Sequence, residues 1–181
     1  MGALAGLVRI IDRINEVVGR GVAWLTVLMV VNVFVVVVLR YVFSIGWIWM
    51  QELYVWMHGM VFMLGAGYTL LHDGHVRIDV IYRPAGRRYR ALVNLLGSLF
   101  LALPVIWVIY DRCLSYVIRS WVGSENSAEA GGLPALYILK TVIPVFCVLF
   151  SLQFVALAMR SFLTLVGRDM PDVRREGEGN A

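Results

Sequence analysis

Four long runs of apolar residues decide most of what this chain can become: Gly21–Leu39, Leu53–Leu71, Ala91–Tyr110 and Leu133–Met159. The first three contain no Lys, Arg, Asp or Glu, and the fourth contains one, Lys140. A bilayer's hydrocarbon core is about 30 Å thick, the length of roughly 20 helical residues. Backbone groups in hydrocarbon have to bond within their own segment, so each run is expected as an α-helix. A membrane β-barrel would show shorter, alternating segments instead. With 60% of its residues hydrophobic, the chain exceeds the apolar share of ordinary globular domains. The expected fold class is an all-α integral membrane protein of four transmembrane helices, at about 21–41, 52–72, 91–111 and 133–159.

About twenty residues precede the first run, which is long for the core of a secretory signal. No small-x-small cleavage site follows it before Arg40-Tyr41, so it reads as a retained anchor. Within residues 1–20, Leu4, Leu7, Val8, Ile11, Ile14 and Val18 recur at helical spacing, with Arg9, Asp12, Arg13 and Glu16 elsewhere on the wheel. This predicts an amphipathic helix that lies on the inner membrane surface or extends the first span. Residues 166–181, rich in charge and glycine, are expected to be a disordered tail.

Arginine placement gives the bundle a direction. The N-terminal stretch, the loop after the second run and the tail carry twelve arginines, whereas the other two loops hold Arg40, Arg112 and Arg119. Both termini are therefore expected in the cytoplasm. The net charge of +4 follows from this bias and calls for no nucleic acid. Trp47, Trp49 and Trp121 suit the opposite headgroup boundary. The two cysteines, Cys113 and Cys147, read as small packing residues rather than a disulfide framework.

A polar side chain at membrane depth is costly and is by default a candidate site. Gln51, His58, Gly65 and His72 fall at seven-residue spacing, with Tyr54 and Thr69 near the same face. This stripe fits a proton or ligand path, or a face packed on another protein helix with glycines permitting close approach. The fourth run carries Tyr137, Lys140, Pro144, Cys147 and Ser151 along one face. A lysine at mid-membrane costs roughly 2.5–3.5 kcal/mol. Lys140 is expected to snorkel outward or to pair with Asp111, Glu125 or Glu129. Asn32 is expected to make an interhelical hydrogen bond, Pro104 and Pro144 to kink their helices, and Gly131-Gly132 with Pro134 to mark a turn and a helix start. His72-Asp73-Gly74-His75, with Arg77 and Asp79 after it, looks like a metal box, but nothing elsewhere completes the ligand set. A turn with local ion pairs is the better reading, and no cofactor is expected.

Several segments taken in order resemble a known family. They are Leu39-Arg40-Tyr41-Val42-Phe43, Gln51-Glu52-Leu53, Gly74-His75-Val76-Arg77-Ile78-Asp79, Gly131-Gly132-Leu133-Pro134 and Tyr137-Ile138-Leu139-Lys140, with Trp121, Glu125, Ser127 and Glu129 upstream of the last two. Over roughly residues 8–165 the chain resembles the small membrane subunit of tripartite ATP-independent periplasmic (TRAP) transporters, the DctQ-like family. The resemblance implies a scaffold beside a large membrane subunit that carries solute and sodium in an elevator-type mechanism. It also implies docking of a periplasmic substrate-binding protein, an organic acid or similar solute as cargo, and a bacterial inner membrane. Arg40, Gln51, Glu52, His58, His75, Arg77, Asp79 and Lys140 are then candidates for subunit contact or structure, and Arg119, Glu125 and Glu129 for docking the binding protein.

Two other classes fit less well. A quinone-linked oxidase needs outward-facing cysteine pairs, and a haem anchor needs axial ligands facing each other inside the bundle, where only His58 lies well within a span. A self-contained four-helix exporter places a carboxylate in its first helix, and the first run here has none.

Overall fold

The computed structural model describes residues 2–75 and 86–168; Arg77, Asp79 and residues 169–181 lie outside the described residues. All regular structure among the described residues is helical: α1 (Gly2–Val42), α2 (Ile48–Leu64), α3 (Ala66–Leu71), α4 (Arg87–Leu96), a π-helical turn (Gly97–Ala102), α5 (Leu103–Val122) and α6 (Leu136–Leu165). Among the described residues, three continuous stretches are long and apolar enough to cross a membrane: Leu4–Val42, Arg87–Val122 and Leu136–Leu165.

The second apolar run takes a different form. It lies in α2, of 17 residues, and α3, of six. Gly65 between them keeps a right-handed helical backbone. The hydrogen-bond ladder also passes through it, with Gly65 N donating to Val61 O at 3.0 Å and Thr69 N to Gly65 O at 2.9 Å. The Thr69 hydroxyl donates to the same carbonyl at 3.0 Å, a back-bond that competes for it and loosens the turn.

α1 is one unbroken helix of 41 residues. At about 1.5 Å per residue it reaches about 60 Å, twice a hydrocarbon core. The N-terminal amphipathic segment is therefore an extension of the first helix. Its buried face differs from the one expected. Val8 and Ile11 are buried, but so are Asp12 and Asn15, while Leu4, Leu7 and Ile14 are exposed. The polar pair turns inward because its partners stand on α6, which leaves the outer leucines for the bilayer.

α6 is the central element. It packs on α1, α2 and α3 along one side and on α4, the π turn and α5 along the other. It is apolar all round, which suits a helix with neighbours on both sides. One buried apolar cluster, Val8, Ile11 and Ala156 flanked by Leu152 and Met159, joins α1 to α6; other buried apolar side chains, such as Met57, Leu71, Ile106 and Cys147, are spread along the bundle. Much of the outer surface is large and apolar, with Trp24, Phe34, Phe62, Phe100 and Trp107 all exposed. Lipid or protein has to cover such a surface.

The two prolines sit differently. Pro104 occupies the first turn of α5, just after the π turn changes the hydrogen-bond register, where its missing N–H costs least. Pro144 lies inside α6, which runs on through it. The start of α6 is set by Ala135, whose positive φ of 65° ends the preceding loop, four residues after Gly131 at φ 82°. Cys113 and Cys147 are free thiols, the latter buried.

Candidate interface site and the polar networks behind it

Two polar networks tie the helices together, one at each end of the bundle. At the end holding the Ser44–Trp47 turn and the 123–135 loop, Glu52 in the first turns of α2 is the anchor. Its carboxylate accepts a hydrogen bond from the Ser127 hydroxyl and a second, of 2.6 Å, from Leu133 N. Ser127 in turn accepts from Glu129 N at 3.1 Å, and Asn126 Oδ1 accepts from Ala135 N at 2.9 Å. A Cβ on Gly132 would collide with Ser127 and Glu52 Oε1, so the approach depends on glycine there. Charge-assisted bonds to backbone amides are the stronger kind, and here they fix a loop with little apolar packing of its own.

Lys140 is the second anchor at this end. It is buried, ion-paired with Glu125, and its ammonium lies 4.0 Å from the centroid of the Tyr116 ring. Of the three carboxylates open to it, Glu125 is the partner. The hydrogen bond from Lys140 holds the Glu125 carboxyl below its ordinary pKa. Beside the pair, Trp121 packs on Tyr137 with ring centroids 4.4 Å apart and donates from Nε1 to Thr141 Oγ1 at 2.9 Å. Arg112 and Arg119, expected in a loop, stand on α5, because that helix continues to Val122. Arg119 and Glu129 are exposed.

The other network joins α1 to α6. Asp12 is ion-paired with Arg160 and accepts from Gln153 Nε2 at 3.2 Å. Gln153 Oε1 accepts from Asn15 Nδ2 at 2.9 Å, and the same amide donates to Ile11 O at 3.2 Å. Asn15 and Gln153 are almost fully buried. Gly67 lies against Asn15 Oδ1, where any side chain would overlap it. At the rim, Glu16 bonds His72 at 2.8 Å and Arg20 at 2.7 Å. Asp12, Asn15, Gln153 and Arg160 were not among the residues the sequence singled out. The available signal was the i, i+3 spacing of Asp12 and Asn15 on one face and a lone amide, Gln153, in the fourth run.

The seven-residue stripe divides. Gln51 is half-buried, His58 is exposed, and His72 is drawn to Glu16. His58 stands at mid-helix between exposed Val55 and Phe62, facing away from the bundle. His75 turns back to the Ala66 carbonyl at 3.2 Å and packs on Phe150. The two histidines of the metal-like segment thus serve different partners, and the described residues contain no group of three or more His, Cys, Asp or Glu arranged to hold a metal ion. Arg40 closes α1 in its last turn, where a cation favours the helix dipole. The hydrogen bond expected of Asn32 is not made: its Oδ1 is buried without a partner among the described residues. From Ala23 onward no α1 residue is fully buried, so that stretch meets the bundle only at its flank.

No curated protein matches the chain. The family model for the DctQ component of tripartite ATP-independent periplasmic transporters matches residues 29–164, a shorter span than the 8–165 of the resemblance because it starts later. It takes in Glu52, His58, the 123–135 loop, Lys140, Gln153 and Arg160, and leaves out Asp12 and Asn15. That family consists of transporter components rather than enzymes, and the chain belongs to it as a DctQ component of a tripartite ATP-independent periplasmic transporter.

Proposed function

We propose that this chain is the scaffolding small subunit of a sodium-coupled importer of an organic acid or similar solute. It stands in the bacterial inner membrane with four crossings and both termini in the cytoplasm. In this reading α2 and α3 together make the second crossing, supported by the ladder that runs through Gly65. A large elevator-type subunit carries solute and sodium beside it, and a periplasmic binding protein delivers the solute. The polar networks support a static role, since their buried side chains bond to each other and brace helices.

The observation that carries the partner assignment is His58. An imidazole held at membrane depth on an outward face is costly against lipid, and Val55 and Phe62 give it an apolar frame. A helix of the large subunit on this face supplies the missing polar contact. Co-expressed with that subunit, the chain should appear as a one-to-one complex by native mass spectrometry in mild detergent. His58→Asp should lower the yield of the complex while the chain alone stays folded. A stable homodimer with full transport would refute the proposal.

Glu125 is already committed to Lys140. The docking surface for the binding protein is therefore centred on Arg119 and Glu129, with Glu125 behind them. Reversing the charge of Arg119 and Glu129 together should slow uptake and leave complex yield unchanged. Loss of the complex would give both residues a structural role instead.

A further inference from the structure

Asn32 and His58 stand at the same height on two neighbouring helices that run in opposite directions, α1 and α2. Asn32 is ten residues before the end of α1 at Val42, and His58 is ten residues after the start of α2 at Ile48, so each lies about 15 Å from the turn between them. Side-chain contacts confirm the register. Val22 of α1 would lie 3.9 Å from a Cβ on Gly65, Gly19 lies against the Tyr68 ring, and Glu16 bonds His72. Ten residues up from Val22 and ten back from Gly65 bring Asn32 level with Val55, one turn from His58. Gly65 and His72, which both meet α1, follow His58 at intervals of seven residues. That interval turns a straight helix by only about 20°. His58 therefore stands on the edge of α2 that borders α1, with its ring exposed.

Neither side chain is paired among the described residues. Asn32 sits in a half-buried seam between Met29 and Val36, with Oδ1 closed in and Nδ2 left open. Acyl chains offer neither a donor nor an acceptor, so lipid at this seam would leave both the amide and the imidazole unsatisfied. A polar side chain on a second protein helix satisfies them, and such bonds hold membrane helices together. We propose that the mouth of the α1–α2 seam receives one neutral side chain, a hydroxyl or a carboxamide, from a transmembrane helix of the large subunit, bonded to Asn32 and His58 together. Both groups donate and accept, so they match the amide whichever way a half turn of its last torsion presents it. A carboxylate or an ammonium fits less well, because residues 21–39 and 53–71 carry no Lys, Arg, Asp or Glu to balance it. The proposal rests on the reading that the large subunit covers the His58 face. It adds Asn32 to that contact and names the chemistry opposite.

The test uses the full chain in complex with its large subunit, with the photoreactive residue p-benzoylphenylalanine in place of His58 or, as a control across α6, of Trp107. Irradiation should join position 58 to one large-subunit helix, within a turn of a Ser, Thr, Asn or Gln, and position 107 should not link to that helix. Asn32→Leu, which nearly keeps the side chain's size, and His58→Leu should each weaken the one-to-one complex about threefold in a detergent titration. His58→Gln, which still donates and accepts, should keep it. If Asn32→Leu fails to insert, the two His58 variants carry the comparison. Lipid opposite the seam would reverse the outcome: His58→Leu would leave the complex unchanged and raise the thermal stability of the chain. That result would overturn the proposal and leave the one-to-one complex standing. A photoproduct joining two copies of this chain, or one on a large-subunit helix without such a side chain, would overturn it as well. Failure of the native chain to form any complex would instead remove the reading on which the proposal rests.

Discussion

Asp12 and Arg160 illustrate how much one residue can carry where polar side chains are buried between helices. The Asp12 carboxylate is buried and serves both the Arg160 guanidinium and the Gln153 amide. Removing one member of a buried pair leaves the other charged and unpaired, which typically costs about 3–5 kcal/mol. Asp12→Ala is therefore expected to destabilise the protein by about that much, and Asp12→Ala with Arg160→Met by clearly less. Thermal unfolding in detergent gives the comparison, and additive losses would show that the pair is not coupled. This pair was hard to read from sequence because Asp12 sits outside the apolar runs, where a carboxylate looks like a solvated position. Its partner is separated from it by 148 residues, and no periodicity reports such a distance. Lys140 was easier, since a lone cation in an apolar run requires a counter-charge nearby, and the choice among three carboxylates was all that geometry had to settle.

At the scale of elements, the apolar runs announced the long helices because bilayer thickness and backbone hydrogen bonding leave few alternatives. The runs did not announce where helices end. α1 and α5 continue well past their apolar stretches, through Asp12 and Glu16 in one case and Arg112 and Arg119 in the other. In α1 the helix persists where neighbouring helices offer partners, Arg160 for Asp12 and His72 for Glu16, a tertiary effect that hydropathy does not contain; in α5 the arginines are exposed. The 123–135 loop is the opposite case, irregular but held in place. Its hold is the Glu52 carboxylate, so Glu52→Gln, which keeps the shape and removes the charge, should loosen it. Hydrogen exchange at Leu133 and Ala135 should rise by about tenfold or more, given a net 1.5–3 kcal/mol for hydrogen bonds to a charged group. Unchanged exchange would mean that the loop is held by its neighbours.

For the whole molecule, the strongest expectation concerns direction. With both termini inside and four crossings, a cysteine placed at Ala128 should react with an impermeant maleimide added to intact cells. One placed at Gly167 should react only after the membrane is opened, both in a background lacking Cys113 and Cys147. Labelling of both positions in intact cells would require an odd number of crossings. The family was legible in the order of short motifs between residues 39 and 140, whereas the face for a partner was not, because the stripe containing His58 divides between inward and outward directions. The α1–α6 network also sets an order of events. A chain synthesised at about 5–20 residues per second exposes Asn15 about 7–28 s before Gln153, 138 residues later, has been made. Throughout that interval Asp12 lacks Arg160 and Gln153, and Asn15 has the Ile11 carbonyl without Gln153, so water or a chaperone has to keep them solvated. A helix made late, α6, is the one that locks α1 in place, so a truncation before Gln153 should leave an early helix unanchored.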